Sequence, residues 1–145
     1  LGKDFPQARQ YKAEIAVKPA AAPVDNIVCQ QLFAALLAKA RIRFESGKAD
    51  LSPDSVGLLD RLTETALRCP TANIEIAGHT DADGDPGQNQ ALSEKRAQAV
   101  ADYLVRGGLP ANRFTAVGYG SGQPMAGNDT DEGKALNRRI DFVVK

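Results

Sequence analysis

From Arg41 onward the sequence switches hydrophobic period repeatedly, from two to about 3.6 and back, and this restricts the fold more than any other feature. Arg41-Ile42-Arg43-Phe44-Glu45 alternates apolar with polar, as a half-buried strand does. Ser52-Pro53 then supplies an N-cap followed by proline in the first helical position. Val56, Leu59, Leu62 or Thr63, and Ala66 mark the core face of the helix that follows, which Cys69-Pro70 stops. Asn73–Ala77 alternates again and ends at Gly78. A polar loop, His79–Asp85, leads to Pro86 and a long helix reaching Arg106, closed by Gly107-Gly108. Strands are predicted at Arg113–Val117 and Arg138–Val144, separated by the Gly-rich stretch 118–127 and a helical turn near Thr130–Leu136. Upstream, Asp25 is a plausible N-cap for a helix to about Ala40, with Val28, Leu32, Phe33 and Leu36 on its apolar side.

The resulting order is βαβαββ behind an N-terminal helix. It predicts an α/β (α+β) two-layer sandwich in which helices cover one face of a sheet. Residues 1–26 contain the extended spacer Lys18-Pro19-Ala20-Ala21-Ala22-Pro23 and read as a linker or the end of an upstream region. Residues 27–145 read as one domain. Within the linker, Tyr11–Val17 alternates weakly and is at most a stray strand.

The length, 145 residues, suffices for one domain with a core and not for two sizeable ones. Lysine plus arginine number 18 and aspartate plus glutamate 18, so the formal charge is zero. A nucleic-acid partner is not expected, because such a binder needs surplus cations to displace counterions from phosphates. No apolar run approaches the roughly 20 residues of a membrane-spanning helix. The chain begins at Leu1 without a signal peptide, so a fragment or a processed form is expected.

Two cysteines, Cys29 and Cys69, lie far apart and have only His79 for company, which disfavours a metal site. Neither has a sequence-local catalytic partner. A disulfide or a pair of buried inert thiols remains, and the disulfide is favoured because both cysteines fall where helices meet the core.

The long helix carries one irregularity. At about 100° per residue, Leu92, Ala99, Val100 and Tyr103 share an arc toward the core, and Arg96 falls in the middle of it. A cation there must snorkel out or find an anion, since an unpaired buried charge is costly. The loop just before the helix crowds Asp81, Asp83 and Asp85 near a helix N-terminus. Arginine offers a bidentate fork to a carboxylate and aspartate receives an ammonium, so the junction suits a zwitterion such as an amino-acid head group.

Other chemistries fit less well. Asp81-x-Asp83-x-Asp85 imitates the start of an EF-hand, but Pro86 stands where glycine is needed and Leu92 where the bidentate glutamate belongs. His79, Asp81 and Ser121 suggest a hydrolase, yet Tyr119 occupies the glycine position of a nucleophile elbow. Gly118–Gly122 is not followed by a long helix on which a phosphate would rest. No enzyme activity, metal or cofactor is expected.

Gly78-His79-Thr80-Asp81, then Asn89-x-x-Leu92-Ser93-x-x-Arg96-Ala97, then Asn137-Arg138-Arg139-Ile140, resembles the OmpA-like C-terminal domain. That family includes the peptidoglycan-associated lipoprotein and the periplasmic part of flagellar stators. Phe44 leading to Leu51-Ser52-Pro53, Gly107-x-Leu109 before Arg113, and Gly118-Tyr119-Gly120 before Pro124 and Asn128 agree with it, over about residues 41–145. The resemblance implies a mixed four-stranded sheet and non-covalent binding to the meso-diaminopimelate stem peptide of peptidoglycan. It assigns the ligand's ammonium to Asp81 and its carboxylate to Arg96, with Asn89 framing the pocket and backbone groups offered at Phe44 and Glu45. Asn137 and Arg138 would border the site or form a structural clasp, and Thr80 and Leu92 belong to the matching stretches.

The same likeness extends to a subset in which a disulfide, here Cys29–Cys69, ties the first helix to the one before the second strand. It implies a periplasmic or outer-membrane-associated, oxidising location and a membrane-attached parent protein. Three positions depart from the family pattern. Asp85 replaces a small or hydroxylated residue and would assist ammonium binding or cap the helix. Ser121 replaces a common acidic residue, and Gln88 a common aromatic.

Overall fold

Residues 22–145 are described by the computed structural model of the chain. Most of the expected linker and the weak alternation at Tyr11–Val17 fall outside them. Helix α1 (Asn26–Lys39) starts where the Asp25 carboxylate accepts the Val28 N–H at 2.9 Å. It buries Cys29 and Phe33 completely, while Val28 turns outward. The Phe33 ring packs on Phe142 at 5.0 Å between centroids, and burying a side chain of this size contributes about 1.5–3 kcal/mol. A 3₁₀ turn at Pro53–Ser55 opens α2 (Val56–Leu67), whose Leu58, Leu59, Leu62, Thr63 and Ala66 are buried. Cys69, just beyond α2, is bonded to Cys29 with the Cα atoms 6.1 Å apart. The favoured pairing is therefore formed.

Strand β1 (Ile74–His79) is followed by α3 (Pro86–Arg106), β2 (Phe114–Gly118), α4 (Asp131–Asn137) and β3 (Arg139–Val144). The sheet runs in the order β2-β1-β3, with β1 parallel to β2 and antiparallel to β3. Parallel neighbours need a crossover, and α3 supplies it. Ile74, Ile76 and Gly78 of β1 stand in register with Phe114, Ala116 and Gly118 of β2, and with Val144, Phe142 and Ile140 of β3. All of these except the glycines belong to the core or pack against it, so one sheet face carries the apolar side chains under the helices. The opposite face carries Glu75, His79, Arg139 and Asp141.

Among the described residues the sheet has three strands, and the fourth, expected over Arg41–Glu45, does not join it. That segment keeps only an isolated bridge between Phe44 and Leu51. Its backbone groups bond instead to the turn downstream. Glu45 donates to the Asp50 carbonyl at 2.8 Å, Ser52 donates to the Arg43 carbonyl at 2.9 Å, and Arg43 donates to Ser55 Oγ at 2.7 Å. The outer edge of β3 is met by α1: the Gln30 side chain donates to the Phe142 carbonyl at 2.9 Å and accepts from the Val144 N–H at 2.7 Å. One amide thus imitates a rung of the missing ladder, and an unpaired edge is covered.

Candidate functional site

The site forms where α3 crosses the C-terminal end of β1, and the close approach there has a sequence cause. Gly78 and Gly118 are register partners, and both face α3. A Cβ on Gly78 would come within 2.3 Å of the Ser93 carbonyl oxygen, and one on Gly118 within 2.5 Å of Ser93 Oγ. Only hydrogen at both positions lets the helix sink this far. Ser93 is buried; its hydroxyl donates to the Gln90 carbonyl at 2.8 Å and accepts the Gly120 N–H at 3.0 Å. The Gly120 carbonyl in turn accepts the Thr80 N–H at 2.8 Å. Helix, strand end and Gly-rich loop are thereby locked together.

Arg96 lies three residues along α3. The buried face of α3 is Ser93, Ala97, Val100, Ala101, Tyr103 and Leu104. Arg96 lies on its flank and not in the middle, because the helix turns Ser93 toward the paired glycines. Its Nε donates to the Lys48 carbonyl at 2.8 Å, and its guanidinium lies 4.8 Å over the Phe44 ring. No carboxylate of the described residues is within ion-pair distance of it. Burial, and then the like charge of Arg138, lowers its pKa below the usual arginine value. An arriving anion would relieve both effects.

The expected gathering of loop carboxylates is not what the loop does. Asp81 is nearly buried: one oxygen accepts from Arg138 Nη1 at 2.6 Å and the other from the Asp83 N–H at 3.0 Å. Asp83 pairs with Lys134 at 3.3 Å. Asp85 caps α3 by accepting the Gln88 N–H at 2.8 Å. Each acid therefore has its own partner within the protein. Asn89 holds this loop by donating to the Asp83 carbonyl at 2.8 Å, and the buried Thr80 hydroxyl donates to the Asp81 carbonyl at 2.8 Å.

A cavity of about 790 Å³ lies beside this junction, within the usual size of small-ligand sites. Of the expected residues, Phe44, Arg96 and Arg138 line it. Asp81 stands behind Arg138. Asn89, Thr80, Asp85 and Leu92 are not part of the lining, and neither is Glu45, whose N–H is taken by the Asp50 carbonyl. Asn137 is wholly buried and acts as a clasp: Oδ1 accepts from Met125 and Ala126 N–H at 2.7 and 3.0 Å, and Nδ2 donates to the Ala126 carbonyl at 2.9 Å. Arg41, Arg43, Asp54 and Arg139 also line the cavity and were not singled out from the sequence. The signal for the first two was present, since they alternate with Ile42 and Phe44.

The family model described as the OmpA family matches residues 43–138, a span holding Phe44, the 81–85 loop, Arg96 and Arg138. The chain belongs to the OmpA family. Outer membrane porin F of Pseudomonas fluorescens is 40% identical over 124 residues, 86% of this chain and 36% of that protein. Peptidoglycan-binding protein ArfA of Mycobacterium tuberculosis is 43% identical over 103 residues, 71% of this chain and 32% of that protein. The chain therefore spans about a third of the length of these curated relatives. The peptidoglycan-associated lipoprotein from Burkholderia pseudomallei superposes with a TM-score of 0.65 at 31% identity, covering 76% of this chain and 93% of that one. In this OmpA-family domain, the paired glycines, Ser93 and the Asp81–Arg138 bridge bring the three matching sequence stretches to one end of the sheet.

Proposed function

We propose that this domain anchors an envelope protein to the cell wall by holding peptidoglycan non-covalently, through the diaminopimelate of the stem peptide. The observation that carries the reading is Arg96: a partly buried guanidinium, braced by the Lys48 carbonyl and the Phe44 ring, facing a cavity with no protein carboxylate to pair with. Such a group is a receptor for an external carboxylate. The side-chain end of diaminopimelate offers one, with an ammonium beside it; Asp81, paired with Arg138 and outside the cavity lining, receives that ammonium only as the Arg138 bridge gives way. A relative named as peptidoglycan-binding and a structural neighbour named as peptidoglycan-associated support peptidoglycan as the partner. The outer-membrane naming of the porin relative supports an envelope location, and the disulfide supports an oxidising compartment within it.

The domain acts as a binder and not as a catalyst. His79 is stacked on Tyr119 with its Nε2 3.5 Å from Asp141, and the Ser93 hydroxyl bonds to backbone groups. Each charge-assisted contact contributes about 1.5–3 kcal/mol, so a single site is modest in affinity and many sites along a wall reinforce one another. Lysine-type stem peptide lacks the side-chain carboxylate, leaves Arg96 unanswered and is discriminated against. The test is co-sedimentation with isolated diaminopimelate-type sacculi. Arg96→Ala, shown to be folded by circular dichroism, is expected to lose about 2–5 kcal/mol of binding. Undiminished binding by the folded variant would reject the reading.

A further inference from the structure

The cavity holds more positive charge than a single carboxylate–ammonium end group requires. Arg41, Arg43, Arg96, Arg138 and Arg139 line it against one lining carboxylate, Asp54, in a chain whose formal charge is zero. The protein neutralises two of them: Asp81 pairs with Arg138 at 2.6 Å and Asp141 with Arg139 at 3.0 Å. Asp54 accepts the Ser52 hydroxyl at 2.5 Å. Among the described residues, no carboxylate is within ion-pair distance of Arg41, Arg43 or Arg96.

Arg41 and Arg43 are also positioned. Ile42 between them is buried at 8% exposure and pins the segment, while the two arginines stand exposed. Arg41 is held by donating through Nη1 to the Ala135 carbonyl. Because the segment stays out of the sheet, Arg41 and Arg43 remain part of the cavity wall. Unanswered like charges around one cavity repel, and a ligand carrying a second anion relieves that repulsion.

We infer that Arg41 and Arg43 form a second anion subsite, distinct from Arg96, which takes a further carboxylate of the same peptide ligand. The inference rests on the proposed function. For a stem peptide, the group of that chemistry is the free α-carboxylate of the γ-linked glutamate preceding diaminopimelate. Arg41 and Arg43 thus select the acid form of that residue over its amide.

The test is calorimetric titration of the folded domain with L-alanyl-γ-D-glutamyl-meso-diaminopimelate and with its glutamate α-amide. The expected preference for the acid is about fivefold, since exposed charge pairs are screened by solvent, and it should shrink as salt is raised. Arg41→Gln/Arg43→Gln should lose the preference for the acid; Arg41→Lys/Arg43→Lys should keep most of it. Equal affinity of the unaltered domain for both peptides, or a preference surviving in the glutamine variant, overturns the second subsite and leaves the proposed function standing. Failure of the unaltered domain to bind either peptide overturns both.

Discussion

His79 is 6% exposed and its imidazole stacks on Tyr119 at 5.3 Å. Its Nδ1 has no hydrogen-bond partner among the described residues. Burial lowers its pKa below the usual histidine value and the Arg139 charge adds to this, against the opposing pull of Asp141 and Glu75. The unfolded chain takes up the proton at about the ordinary value of 6.5, and the folded chain only at lower pH. Stability is therefore full above pH 6.5 and lost as the pH falls through the folded value. This is the only histidine in the chain, so the effect has one source near neutrality. Thermal unfolding at pH 7 and pH 5 should show a drop in midpoint that His79→Gln reduces; an identical drop in the variant would assign the effect elsewhere. Glu75, bonded to Tyr119 at 2.7 Å, has a lowered pKa for that reason first and responds only in stronger acid. Single residues differed in how legible they were. Arg96 stood out because a cation interrupts the apolar spacing of α3, although periodicity set it in the middle of the arc and the structure sets it on the flank. Asp81 did not reveal its partner, because Arg138 lies 57 residues away in sequence and no local pattern links them.

At the scale of elements, the site depends on how deeply α3 sinks into the sheet. Gly78→Ala places a methyl against the Ser93 carbonyl, backbone that cannot swing aside. The helix must lift, at a cost of about 1–3 kcal/mol, and Arg96 lifts with it. Chemical denaturation should show that loss together with weakened sacculus binding; unchanged stability would mean the contact is softer than the geometry implies. Periodicity located α3, β1, β2 and β3 to within a residue or two, because their apolar residues recur at the spacing of each element, and it placed α2 with the 3₁₀ turn that opens it. The same rule misplaced Arg41–Glu45. Alternation shows that a segment is half buried but not what its N–H and carbonyl groups bond to, and here they serve the turn to Ser55. The importance of Gly78 and Gly118 was equally hidden, since each reads in sequence as the end of a strand.

For the molecule as a whole, the Cys29–Cys69 bond closes a loop of 40 residues. Chain entropy assigns about 4 kcal/mol to a loop of that length. Equilibrium denaturation with and without reductant should reveal a loss approaching that figure, and a negligible difference would show that α1 is held by packing alone. The bond also sets a route for mechanical load. Chain entering from the N-terminal side is fastened beside the second cysteine, with the Val24 N–H on the Arg68 carbonyl at 2.8 Å and Arg68 Nε on the Ala22 carbonyl at 2.9 Å. Tension that outlasts these bonds reaches Cys29 and crosses the sulfur–sulfur link directly to Cys69. The residues between them form a covalent side loop that the pull does not lengthen. Phe44 and Lys48, which brace Arg96, lie inside that loop. A pull on the chain from its N-terminal side is thus shunted past one wall of the cavity.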